Sequence, residues 1–376
     1  MSAYIVANGQ RVEGWEMVEI NREHAVYYYS YMRLRASENT DAGASPPTFS
    51  LYPGDPVNAY LAGQKVIQGS VMSRQVVYNK QIHSVEIIVV SPAQNLDAAT
   101  VDADPGQYVN QTIKQIVPEV CKKAGVNVRF VGDLSGTDKP FSRISEQIGE
   151  RIIDFVLRLA QMRQLHPSDD ENGNLLLGRA DNIGSTSGAV LREGDNIEQA
   201  RLLINYDYGA DYLRKKGHQP GDDETNGTQS SEVMYEGKVA NYKGPSRRRT
   251  EHMPEVGDIT DAQLNWKHAI NIMQLPMFEI VITVPGWLTD SGKLWILEYM
   301  GDKPKPISVF SPMLLPRDGG QISGLLVRAV KHHQSNEMGT LTEITCATQA
   351  SLGEDALHTK DAGSYINPPG GPGTAR

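Results

Sequence analysis

Glu146 and Glu150, one helical turn apart, come nearest in this sequence to an acid pair able to share general acid and base work across a scissile bond. They stand just ahead of an apolar run, where glutamates favour a helix start through its dipole, so the spacing predicts an acidic first turn and no catalysis. The cluster Asp169-Asp170-Glu171 offers oxygens to a hard cation. It lacks the spaced ligands and distal glutamate of a calcium loop, and predicts a solvated turn. Nine histidines are scattered, and the adjacent pair His332-His333 falls in an expected strand, where neighbours point to opposite faces and cannot easily share a metal. Cys121 and Cys346 lie far apart with no C-x-x-C partner, which predicts two buried thiols. H-E-x-x-H, G-x-S-x-G and G-x-x-x-x-G-K-[ST] do not occur. The sequence therefore assigns no catalytic, cofactor-binding or metal-binding residue, and no cofactor.

Two further clusters suit contact rather than catalysis. Arg247-Arg248-Arg249 is a local cationic patch without interleaved aromatics, which fits an inter-subunit salt bridge or a solvated face better than nucleic-acid recognition. Tyr27-Tyr28-Tyr29 and Tyr31 lie in one strand region. Consecutive tyrosines must face both sides of a strand, so one ring lies away from its own core, as an interface would use it.

The elements around these residues read as mainly β. The chain has 376 residues, 39% of them hydrophobic and 22% charged, with 35 glycines and 21 prolines, so it folds into two or three domains rich in turns. Its formal charge of −9 repels polyphosphate and argues against a dedicated nucleic-acid binder. Neither a signal peptide nor an apolar run of membrane-spanning length is apparent, and the expectation is a soluble chain made in a cytosol. Strands are predicted at Tyr4 to Ala7, Val57 to Leu61, Lys65 to Met72 and His83 to Val90, with Asn79-Lys80 turning between the last two. Thr40 to Pro47 is a loop. Val109, Ile113, Ile116, Val117 and Val120 repeat at helical spacing between Asp104-Pro105 and Gly125, with Pro118 expected to bend the helix. A stronger helix carries Ile148, Ile152, Ile153, Phe155, Val156, Leu159 and Met162, and residues 169–173 form a hairpin turn between Leu165 and Leu175 to Leu177. Glu198 to Tyr206 resumes the strand pattern. Residues 211–257 show hardly any periodicity and predict a long mobile insert, followed by a helix at Thr260 to Gln274 and a strand at Phe278 to Val284. The last dozen residues read as a tail.

One layout occurs twice. Gly69-Ser-Val-Met-Ser leads through a turn to Ser84-Val85-Glu86-Ile87, and Gly324-Leu-Leu-Val-Arg leads likewise to Leu341-Thr342-Glu343-Ile344. Each copy follows a strand, Val57 to Leu61 or Ile307 to Phe310, which is the mark of an internal duplication. Three chains carrying two such units each would close a ring of six, a way for a threefold object to dock on a sixfold one.

Three segments then resemble a family. Gly63-Gln-Lys-Val-Ile-Gln-Gly69 with Ala93-Gln-Asn-Leu-Asp97 looks like the first barrel of the baseplate hub proteins of contractile-tailed phages, the Mu-like ones in particular. Ser145 to Leu165 with Asn172-Gly173-Asn174-Leu-Leu-Leu177 resembles that family's helix and hairpin. Val284-Pro-Gly286-Trp287 with Ser291-Gly292-Lys-Leu-Trp295 is similar to its Gly-Trp signature, although Ser291 separates Asp290 from the glycine and Ile296-Leu297-Glu298 lacks the usual asparagine. Arg247 to Arg249 also sits where the family has an arginine-rich stretch. The resemblance spans about residues 50 to 345.

What the resemblance implies is an α+β, mainly β chain. Two similar antiparallel β-barrels would occupy residues 1–100 and residues 188–210 with 276–350. An α/β domain would fill 101–187, a mobile insert plus helix 211–275, and a tail 351–376. Three chains would form a pseudo-sixfold ring. The function implied is that of a structural virion protein, not an enzyme: the central hub of a baseplate, assembled from chains made in the host cytoplasm. It would bind a central spike and a tail tube or distal tube protein, with tape measure and baseplate wedge proteins as further partners, while genomic DNA passes through the lumen without specific binding. Two alternatives are a hub of a type VI or pyocin-like injection device and a tail-associated cell-wall hydrolase. A plain binding module, monomeric and without need of the repeat, is a third.

Overall fold

The computed structural model describes residues 2–24, 29–37, 51–79, 83–102, 104–132, 134, 138–179, 188–218, 232–239, 242, 244–253, 259–300, 305–316 and 319–348. Tyr27, Tyr28, Lys80, the loop expected at Thr40 to Pro47 and the tail at 351–376 lie outside the described residues.

The N-terminal part contains β1 (Ala3–Ala7), β2 (Gln10–Glu13), β3 (Met17–Glu23), β4 (Tyr31–Ser37), β5 (Pro56–Leu61), β6 (Gln64–Tyr78) and β7 (His83–Val90). Tight turns set the registers. Asn8-Gly9 joins β1 to β2 and Ala62-Gly63 joins β5 to β6, both as two-residue turns with positive φ at each position, the form whose twist matches the flanking strands. Next come α1 (Asn95–Ala98), β8 (Gln107–Gln111), α2 (Ile113–Lys123), β9 (Val128–Val131), β10 (Phe141–Ser145), α3 (Ile152–Met162), β11 (His166–Asp169) and β12 (Leu175–Gly178). The remainder holds β13 (Val190–Arg192), β14 (Gln199–Ile204), β15 (Tyr212–His218), β16 (Glu232–Lys238), β17 (Arg248–Met253), α4 (Ile259–Gln274), β18 (Phe278–Pro285), α5 (Trp295–Tyr299), β19 (Ile307–Phe310), β20 (Gln321–Ser335) and β21 (Gly339–Thr348).

The expected pair of β-barrels is not what forms. The large sheet is open, in the order β14-β18-β21-β20-β3-β4-β7-β6-β5-β1-β2, with β19 on β20 and β13 on β19. Among the described residues no sheet closes on itself. The physical reason lies in β20, whose first part pairs with β19 and whose later part, from Ala329, pairs with β3 of the N-terminal half. An edge that could have closed one half joins the two halves instead, and the result is one extended mixed α+β structure.

Other corrections are local. Val109 is an exposed residue of β8, and the helix begins at Ile113, where Gln115 Oε1 accepts the Thr112 N–H at 2.9 Å. Pro118 stays inside α2, because the carbonyl it leaves without a donor belongs to Lys114 on the exposed face. Ile148 is 95% exposed and precedes α3, so Glu146 and Glu150 lie in the approach to that helix and not in its first turn. Within 211–257, read as an insert without structure, β15 lies between β16 and β17 in a sheet of its own, with Trp266 of α4 packed against it. Lys, Arg and Glu on both faces of these strands hide the alternation that would have announced them.

The core of the large sheet runs without interruption across both halves. Cys346 is fully buried within it, and Cys121 in the core of the α/β unit; burial pushes the Cys121 thiol up to about 12, so it is inert. His332, also fully buried, accepts the Ile296 N–H on Nε2 at 3.4 Å, which leaves Nδ1 to donate to Thr342 Oγ1 at 2.8 Å. That hydroxyl donates to the Gly286 carbonyl at 2.6 Å. The chain requires a neutral ring, and burial, aided by the positive Arg22, pushes the imidazole down to about 3. An unfolded histidine takes up its proton near 6.5, so below that pH the unfolded chain binds a proton that folded His332 refuses. Stability should fall by about 1.4 kcal/mol per pH unit below that point from this group. Thermal melts from pH 7 to 5 should show a falling Tm, with a shallower slope in His332→Asn.

Candidate functional site

Three stretches far apart in sequence meet at the start of β6. Gln64 Nε2 donates to the Gly292 carbonyl at 3.0 Å, and Gln64 Oε1 accepts the Leu294 N–H at 3.3 Å, so the turn after Trp287 is pinned to the N-terminal half. Lys65 Nζ reaches Asn172 Oδ1 at 2.5 Å on the hairpin between β11 and β12. In that hairpin Gly173 has φ +78°, and a Cβ there would meet Pro92 Cδ at 2.5 Å and the Gln68 carbonyl at 2.8 Å. Only glycine permits both the turn and the contact.

Beneath this contact lies a buried ionic joint. Asp169, at the end of β11, accepts the Ser30 N–H at 2.6 Å and the Ser30 hydroxyl at 2.5 Å. Arg22 of β3 lies 3.3 Å from the same carboxylate, and donates from Nε to Ser30 Oγ and from Nη2 to the Val66 carbonyl, both at 2.9 Å. Both charged side chains are at most 2% exposed. Burial pushes the Asp169 carboxyl above the usual carboxylate range, against the opposing pull of Arg22 and Ser30. Asp170 does the reverse. Its side chain accepts from Asn172 and Asn174 backbone N–H groups at 2.9 Å each and from Arg129 at 3.0 Å, and these bonds outweigh burial and hold it below the usual range. The acidic cluster expected to be solvated is thus the plug that seats the α/β unit on the large sheet. Sequence reasoning missed Asp169 because its partners Arg22 and Ser30 are about 140 residues away. The one available signal was the aspartate's place on the last strand position before the turn.

A second contact, on the same strand as Asp169, holds the α/β unit to α4. His166 stacks on His268 of α4 with centroids 5.3 Å apart, and Tyr108 donates to Glu146 at 2.8 Å. Glu150 receives both Nε and Nη2 of Arg158, at 3.1 and 2.8 Å. These glutamates brace the fold through Tyr108 and Arg158. Trp287, fully buried, donates to the His333 carbonyl at 3.0 Å, while Trp295 stacks on Tyr299. Arg247 caps the Tyr206 and Asp207 carbonyls, Arg248 lies over Tyr212 and Arg249 pairs with Glu251 at 2.7 Å, so the arginine run is used within the chain. Tyr31 donates to Glu19 at 3.1 Å across the sheet. Among the described residues no group of three or more His, Cys, Asp or Glu could hold a metal ion. The arrangement as a whole fastens the α/β unit to the large sheet and to α4.

Similar proteins have been described. Residues 93–179 match the family model for the second domain of gp44-like baseplate hub proteins. The baseplate hub protein gp44 of Escherichia phage Mu is 24% identical over 307 residues, covering 77% of this chain and 75% of that protein. The fold is shared with the 43 kDa tail protein of prophage MuSo2 from Shewanella oneidensis (TM-score 0.76, 22% identity, 94% of this chain and 100% of that one). It is shared equally with a tail protein from Neisseria meningitidis MC58 (TM-score 0.74, 16% identity, 94% and 98%).

The joint makes a clear demand on Asp169. Asp169→Ala leaves Arg22 buried and unpaired and should cost about 3–5 kcal/mol in urea unfolding, whereas an apolar replacement of both partners should cost markedly less.

Proposed function

Because this chain belongs to the gp44-like family of baseplate hub proteins, and is thereby a structural component of a contractile phage tail and not an enzyme, we propose that three copies form the hub at the end of the tail tube. In this reading the hub holds a spike protein on one side and continues the tube on the other. The observation that carries it is a repetition of strand order. The series β3-β4-β7-β6-β5-β1 in the N-terminal half has its counterpart in β14-β18-β21-β20-β19-β13, although β13 lies parallel to its neighbour and β1 antiparallel. Three chains therefore bring six similar sheet units together, which suits a threefold spike and a sixfold tube at once. Tape measure and baseplate wedge proteins are further partners in this reading.

The buried joint fits the mechanical task. A hub transmits the force of sheath contraction, and β11, held to β3 through Asp169 and to α4 through His166, is a short rigid link between the sheet and α4. A net charge of −9 suits a passage through which DNA slides without adhering. Likeness to a phage hub over 77% of the chain favours a phage tail over an injection device.

Light scattering on the purified protein should give three times the chain mass of 41.4 kDa, and class averages of particles should show threefold symmetry with six peripheral lobes. A monomer at tens of micromolar that stays single when mixed with tube and spike proteins would overturn the reading.

A further inference from the structure

The two halves correspond residue by residue across their ladders. Ile87 of β7 pairs with Arg74 of β6, and Ile344 of β21 pairs with Val330 of β20. Each long strand carries a register shift just before this point, between Val71 and Ser73 or between Val327 and Ala329. Val76 therefore matches His332, and Gln75 matches Lys331. On the other side, Leu34 pairs with Ile87 and Val18 with Leu34, while Ile282 pairs with Ile344 and Ala200 with Ile282. Ile20 of β3 therefore matches Leu202 of β14.

Within one chain the later part of β20 is covered by β3, with His332 opposite Ile20 and Lys331 opposite Asn21. The matching part of β6, residues 75–78, has β7 on one side and no ladder partner on the other among the described residues. The strand matching β3 is β14, which ends the sheet with its outer edge likewise unpaired among the described residues. One half thus lacks the strand that the other half has to offer. The side chains agree. Ile20 and His332 are fully buried at the intrachain seam, but Val76 is 39% and Ile204 44% exposed, and Leu203 on the opposite face is 42% exposed. Long apolar edges of this kind are rarely left open in a finished assembly.

From these two edges we infer that β14 of one copy adds to residues 75–78 of β6 in the next, antiparallel, in the register of the intrachain seam. Val76 then lies opposite Leu202, Gln75 opposite Leu203 and Val77 opposite Arg201. Because different edges meet, the contact is head to tail, and alternating intrachain and interchain seams close after three chains when each turns by a sixth of a full circle. The inference rests on the trimeric reading above and names its interface.

The test is a pair of cysteine variants read alongside the mass in solution. Gln75→Cys with Leu203→Cys, and Val76→Cys with Leu202→Cys, sample the two alternating kinds of cross-strand pair. Mild oxidation of at least one should give reducible species of two and three chains on denaturing gels, while wild type and Gln75→Cys with Leu202→Cys, whose side chains face opposite ways, give none. A second variant, Val76→Asp, should lower the mass to one chain while its far-UV circular dichroism stays that of the folded wild type and its Tm falls as the subunit contact is lost. A trimer that links at neither pair and survives Val76→Asp overturns the edge pairing and leaves the hub reading standing; a wild type that is monomeric throughout overturns both.

Discussion

Arg22 is the residue on which the three parts of this molecule converge. It lies on β3, the strand that joins the two halves of the sheet, directly opposite Val330 of β20. Its guanidinium holds Ser30 and the Val66 carbonyl of its own half and the Asp169 carboxylate of the α/β unit. A charge so deeply buried is tolerable only with every partner in position. The seam, the N-terminal meander and the α/β hairpin are thereby obliged to form together, because any one of them missing would strand the guanidinium away from water.

The same logic explains why the interior is rich in polar groups without being reactive. His332, Thr342 and the Gly286 carbonyl form one chain of hydrogen bonds, Trp287 donates separately to the His333 carbonyl, and the cysteines are held as neutral thiols by burial. Such networks specify geometry. In apolar surroundings each half-satisfied donor is costly, so the packing between elements has few alternatives of similar energy.

Legibility from the sequence follows the range of the interactions. Asn8-Gly9, the period-two runs of β1, β5 and β7, and the apolar face of α3 are local features, and they were readable as such. The repeat was readable too, although the ladders match Gly69 with Leu325 and not with Gly324, because a shift of one residue cannot be detected without the pairing partners. Pairing itself was not readable. Closure of each half into a barrel and joining of the halves through β3 use the same strands, and only contacts about 300 residues apart distinguish them. The solvated reading of Asp169 failed for that reason as well, while β15 to β17 were hidden by charges on both faces.

The bulge near Arg328 lies where β20 leaves β19 and takes up β3, and the bulge near Met72 lies where β6 leaves β5. A bulge adds a bend and extra twist at a fixed place along a strand. In β20 the bend between the two halves is therefore set at one place in the backbone, and β6 carries the same kink at the matching place in the other half.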